Sequence, residues 1–194
     1  MARDATQTFV PGVGELYTAP PGTPYPANPA APAAPWVQVG HTSRENPLQT
    51  NRTGGEVTTQ GSWQDPAMRT SISPVTWSVA FSLLQYDPPS LKLYYGSNSA
   101  VTAEGRVRPP KTPVPTSAAL FVRIVDGRRE HYRHYDRTEI IAADAEEFDV
   151  EKLAALPVSA TILGLDGQDH LGEITPPAER PAGATANGPR PTGD

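Results

Sequence analysis

The chain has 194 residues, 37% hydrophobic and 19% charged, with 23 prolines, 16 glycines and no cysteine. A net charge of -5 with three lysines argues against a nucleic-acid binder, whose affinity rests on clustered Lys and Arg. The lack of cysteine excludes disulfides, a thiolate zinc site and a cysteine nucleophile.

The length suits one domain with flexible additions, and a chain of this size hides roughly 70% of its unfolded surface. Residues 1–13, opening MARDATQTFV, lack the apolar run of a signal peptide and read as an N-terminal arm. No stretch approaches the roughly 18 apolar residues of a membrane span. The expectation is a soluble protein made in the cytoplasm, with no membrane binding. Residues 14–175 read as the folded domain.

In chain order, GELYTA (14–19) suits a first strand. PPGTPYPANPAAPAAP (20–35) is too rich in proline to pair in a sheet and too poor in large apolar groups to pack. It reads as a solvated polyproline-like loop or as an arm laid against a partner. WVQVGHT (36–42) resumes as a strand. In GGEVTTQGSW (54–63), Val57, Thr59 and Trp63 point one way and Glu56, Thr58, Gln60 and Ser62 the other. SPVTWSVAFSLLQY (73–86) alternates more clearly. Trp77, Val79, Phe81 and Leu83 are expected to face a core, and Thr76, Ser78, Ala80 and Ser82 to form a small polar face without long charges.

A short helix is predicted next, with Asp87 as N-cap, Pro88 at the first helical position and Gly96 as the stop. Leu91, Tyr94 and Tyr95 fall at i, i+3 and i+4, a stripe that packs on the sheet with Trp77 and Phe81. VRPPKTPVPTS (107–117) is a second proline-rich loop. ALFVRIVDGRREHYRHYD (119–136) reads as a hairpin turning at Asp126-Gly127 with a type I′ turn. TEIIAAD (138–144) pairs next. In FDVEKLAALP (148–157) a second helix is predicted, capped by Asp149, stapled from Phe148 to Leu153 and ended by Pro157. VSATILGL (158–165) is a last strand, and residues 176–194 read as a disordered tail. These elements make an α+β chain, mainly β: an antiparallel sandwich or open barrel of about eight to ten strands with one or two short flanking helices.

The search for chemistry returns no catalytic, cofactor-binding or metal-binding residues. On a strand, His131 and His134 point to opposite faces and cannot share an ion, so HYRHYD reads as a solvated or intersubunit charge cluster. Glu146, Glu147 and Glu151 read as negative charge at a helix start. Trp36, Trp63 and Trp77 each sit on the apolar side of a candidate strand, which favours core packing over sugar stacking.

Several segments in order, GELYTAP, WVQVGHTSREN, GGEVTTQGSW, LLQYDPPSLKLYYG and LPVSATILG, resemble the major tail (tail tube) proteins of long non-contractile-tailed phages of GC-rich Gram-positive bacteria. The resemblance covers about residues 12–175 and implies a virion protein without catalysis. Six copies of itself would form a ring, and rings would stack into a tube assembled in the host cytoplasm around a tape-measure protein. Tail terminator and tail-tip proteins would be further partners, and phage DNA would pass through the lumen without specific binding. Two faces are candidates for the lumen: Glu56, Thr58, Gln60 and Ser62, or Thr76, Ser78 and Ser82. The alternative is a non-enzymatic binding module, such as a capsid decoration or carbohydrate-binding sandwich, with the tryptophans or REHYRHYD as contact patch. A hydrolase using Glu146 or Glu147 is a third, weaker reading.

Overall fold

The computed structural model describes residue 3 and residues 7–46 and 48–180. In chain order its elements are β1 (Val13–Ala19), β2 (Val37–Gln38), β3 (Gln49–Gly54), β4 (Val57–Gln60), β5 (Arg69–Ile72), β6 (Val75–Leu83), α1 (Pro88–Tyr95), β7 (Ala100–Val101), β8 (Val107–Arg108), β9 (Thr116–Asp126), β10 (Arg129–Ala142), β11 (Leu156–Ile162), β12 (Glu173–Ile174) and β13 (Ala178–Glu179). The chain is mainly β, antiparallel and without a closed barrel, as the alternation implied. The main sheet runs β2-β1-β9-β10-β11-β6-β3, and β12 and β13 also pair with β10.

Residues 39–43 draw the two sides of this sheet together. The N–H of Val39 donates to Leu16 O on β1, while Leu84 N–H donates to His41 O and Ser43 N–H to Ser82 O beside β6. That closure explains one core holding Leu16 and Val39 together with Val79, Phe81, Leu83, Leu120, Ile140 and Val158. Helix α1 lids it. The Asp87 carboxylate accepts from Ser90 N–H at 2.9 Å, two prolines occupy the first turn, and Gly96 (φ 108) ends the helix. A two-turn helix persists only through packing. Tyr94 is buried in the core, with Leu91 and Tyr95 partly buried against it.

β10 is one 14-residue strand, where two had been expected. A register shift between Tyr135 and Thr138 lets it bend, and the carbonyls left over there are used: Asp136 O accepts from Gly22 N–H and Arg137 O from Leu163 N–H. The hairpin turn differs from the expected one. Asp126 pairs with Arg129, so the loop is Gly127-Arg128, and Gly127 alone has positive φ (57°), whereas type I′ requires it at both central residues.

The second helix, over 148–157, is absent. Residues 150–152 make a turn, Phe148 and Leu153 are exposed without a staple, and Pro157 lies near the start of β11, paired with Ser82. A proline tolerated at a strand start leaves nothing to terminate a helix before it.

The loop at 20–35 also departs from expectation, because it packs on its own sheet. The face of β1, β9 and β10 opposite the main core carries Ala19, Ala119 and Phe121. Trp36 and Tyr25 cover it, with ring centroids 5.7 and 5.5 Å from that of Phe121. His134 Nε2 bonds Thr23 O at 2.9 Å, and Gly22 is tied to β10 as above. Tyr25 within the loop and Trp36 just beyond it outweigh a composition otherwise unable to pack. Trp36→Ala is therefore expected to cost about 3–5 kcal/mol in urea unfolding; a loss below about 0.5 kcal/mol, the size of an ordinary surface substitution, would return the loop to solvent.

Candidate assembly surface

β3 and β6 pair from Gly54↔Val75 to Gln49↔Ala80, and the same hairpin continues as β4 and β5, paired from Val57↔Ile72 to Gln60↔Arg69. The joint is tight. A Cβ on Gly54 (φ 78) would lie 2.0 Å from Pro74 O, so glycine alone fits there. Ser73 N–H donates to Glu56 O at 3.0 Å, and Glu56 N–H to Ser73 Oγ at 2.9 Å. The tip loop is tied too, since Ser62 Oγ accepts from the N–H groups of Gln64 and Asp65. A structured arm results, and every residue from 56 to 77 is exposed. Among the described residues, the outer edges of β3, β4 and β5 pair with nothing.

The arm is not polar throughout. Val57 and Ile72 face each other across the hairpin, Met68 lies near the tip, and Trp63 is 102% exposed. Trp63 thus corrects the expectation of a core tryptophan. Trp77 corrects it in part: it is 36% exposed at the outer end of β6, with the Arg52 guanidinium 5.9 Å from its ring centroid. Inward from it, Val79, Phe81 and Leu83 are buried as the alternation required. The apolar parity continues outward to Trp77 and Val75, but among the described residues no layer buries them.

Of the two candidate lumen faces, Glu56, Thr58 and Gln60 share a side of the arm with Arg69 and Ser71, while Ser62 belongs to the tip. Thr76 and Ser78 stand opposite Thr53 and Asn51, a small uncharged polar surface on β3 and β6. Ser82 is 4% exposed, covered within the chain. Tyr94 donates to Asp144 O at 2.8 Å and Tyr95 to Glu146 Oε2 at 2.9 Å, so Glu146 braces the helix.

REHYRHYD is no solvent patch, because Glu130, His131, His134 and Asp136 are all buried. His131 stacks on Phe9 and His134 lies among Tyr25 and Trp36 on the other face. Glu130 is the hub of an ion network that the sequence reading missed. Its Oε1 accepts from Arg123 Nη2 at 2.6 Å and from Arg180 Nε at 2.5 Å, and its Oε2 from Tyr132. Arg123 also donates to Glu15 at 2.8 Å. An arginine inside the apolar run 118–125 was the available signal. Through Arg180 and the pairing of β13, residues 178–180 of the expected tail are held on β10, beside the N-terminal segment, whose Thr8 O accepts from Arg129 and whose Val10 N–H donates to Asp126. Residues from 181 onward lie outside the described residues.

A profile described as phage tail tube protein matches residues 1–182. The chain belongs to the phage tail tube protein family. It is 35% identical over 185 residues to the major tail protein Gp23 of Mycobacterium phage D29, spanning 88% of this chain and 91% of that one. To the major tail protein Gp23 of Mycobacterium phage L5 it is 38% identical over 141 residues, 72% of this chain and 69% of the other. As a member of this family it is a structural component of the virion tail and not an enzyme. No helix among its described residues is long and apolar enough to cross a membrane.

Within this tail tube protein the Glu130 network sets an acid limit. Burial pushes the Glu130 carboxyl up, but hydrogen bonds from Arg123, Tyr132 and Arg180 together outweigh it and hold it down, from 4.5 to about 2. A carboxyl depressed on folding contributes stability that is complete above pH 4.5 and lost as pH falls towards 2. Glu130→Gln should cost about 3–5 kcal/mol at neutral pH, because Arg123 is left buried without its main partner. In urea titrations the gap between wild type and variant should hold down to about pH 4.5 and shrink below it. An unchanged gap at pH 2.5 (about two units below that onset) would contradict this assignment.

Proposed function

We propose that this chain is the repeating subunit of the tail tube, six copies to a ring and rings stacked end on end. The tube assembles around a tape-measure protein, is bounded by tail terminator and tail-tip proteins, and later conducts phage DNA. The single observation carrying this reading is the exposed arm with its open strand edges and bare apolar side chains. Exposed hydrophobic strand edges are an aggregation hazard in a monomer. They suit a subunit completed by its neighbours, which supply ladder hydrogen bonds and cover the apolar residues. In a ring of identical copies each subunit presents two different complementary surfaces, as such a protruding element requires.

For the lumen we favour the face bearing Asn51, Thr53, Thr76 and Ser78. These four residues carry no charge to hold phosphates, and the nearest charges on the same sheet face, Glu139 and Arg137, pair with each other, whereas the alternative face includes Arg69 opposite Gln60. The overall charge of -5 adds a weak repulsion felt over a Debye length of roughly 8–10 Å.

Negative-stain microscopy of the purified chain at high concentration should show rings or tubes. Excising residues 56–73 and joining the ends through two glycines should leave thermal unfolding of the domain nearly unchanged and abolish the tubes; tubes that persist would contradict the reading. Phages carrying Thr76→Arg should build normal tails yet eject DNA more slowly. Wild-type ejection rates would remove this face from the lumen.

A further inference from the structure

β6 has two different ends. Its first residue, Val75, leads back into the arm, whose tip presents Trp63 to solvent. Its last, Leu83, leads into Leu84, Gln85 and Tyr86, which with His41, Thr42 and Leu153 line a groove of about 430 Å³. Nine extended residues separate the two ends, about 30 Å at roughly 3.3 Å per residue. The groove is bordered by exposed apolar groups: Leu153 and Phe148 are 78% and 76% exposed, and the Phe148 ring lies 6.3 Å from that of Tyr86. The apolar plug therefore lies beyond one end of β6 and the apolar groove at the other, too far apart to meet within a single chain.

The charges match as well. Arg69, at the start of β5 beside the tip, makes no ion pair among the described residues. Neither do Glu45, Glu147 and Asp149, which line the cleft adjoining the groove. Asp65 of the tip has its counterpart in Lys152 of the same cleft. Residues 56–77 form an exposed run of 22, the size of one side of a standard interface, about 20–30 residues.

We propose that the arm tip of one copy docks in this groove of a second copy, with Trp63 as the buried plug. The contact is head to tail, and a heterologous contact repeats as an open stack where its rotation does not close a ring; with plug and groove beyond opposite ends of β6, this one stacks copies along that strand. It rests on the tube reading and names the joint between successive subunits along the tube. A tryptophan in a desolvated pocket is the type of residue that carries much of an interface's affinity. Here it would exchange full exposure for contact with Leu84, Tyr86 and Leu153, while Arg69 meets the acids of the cleft.

The cysteine-free chain makes the test clean. Gln64→Cys and Ala154→Cys are introduced together, and assembled tubes are oxidised. A ladder of dimers, trimers and longer species should appear on non-reducing gels, since a disulfide requires Cα atoms within about 7 Å. Asp166→Cys in place of Ala154→Cys should give no ladder. In parallel, Trp63→Ala should leave unfolding of the single subunit unchanged and raise the concentration at which tubes appear by on the order of tenfold or more. Tubes that lack the 64–154 ladder, or that Trp63→Ala leaves unaffected, overturn the contact and leave the tube reading standing. A wild-type chain that never polymerises overturns both.

Discussion

The structure depends on β6 being one continuous strand in two environments. Its inner half is paired on one edge with β11 and on the other with β3 and Thr42, and its side chains Val79, Phe81 and Leu83 are buried. Its outer half carries the same alternation past the last core layer, so Trp77 and Val75 are left uncovered. Because β3 accompanies β6 outward and β4–β5 extends the same hairpin, the arm is anchored in the best-packed part of the domain and not hung from a flexible loop. Whatever binds the arm therefore pulls on the core. The same strand reaches the groove at its other end, where Thr42 bridges Leu83.

A second constraint works on the opposite face. The Glu130 network joins Arg123 and Tyr132 of the β9–β10 hairpin to Arg180 from the C-terminal segment. Buried ion pairs add little net stability compared with apolar packing, yet breaking one is expensive. Their use here is positional: Arg180 fixes where the C-terminal segment joins β10, and Phe9 on His131 fixes the N-terminal segment nearby. Both segments are thus bound at the turn end of the β9–β10 hairpin, and Trp36 and Tyr25 cover the remaining apolar surface of that face around Phe121.

Local features were legible in the sequence because local physics sets them. The cap at Asp87 and the stop at Gly96 need only a few residues to act, and the alternation from Val79 to Leu83 reports burial on a nearby layer. Features set by distant partners were not legible. Trp63 and Trp77 follow the apolar period of their strands, but whether a layer covers them depends on chain that lies elsewhere or on another copy. Pro157 read as a helix stop because its strand neighbours, β6 and β10, are remote in sequence. The loop at 20–35 looked unpackable by composition, and Tyr25 alone within it, with Trp36 just beyond, decided otherwise. The Arg123–Glu130–Arg180 cluster joins residues from three segments, and sequence spacing does not reveal such a meeting. The small polar character of Thr76 and Ser78 was visible, whereas Ser82 shares their parity yet is buried within the chain.

The central claim is that the arm's open edges are completed by identical neighbours. Hydrogen–deuterium exchange on the free subunit and on assembled tubes tests it most directly. Amides of residues 49–72 should exchange quickly in the free subunit and become strongly protected in the tube, while those of the inner half of β6 are slow in both. Equal, fast exchange of the arm in the two states would contradict the account.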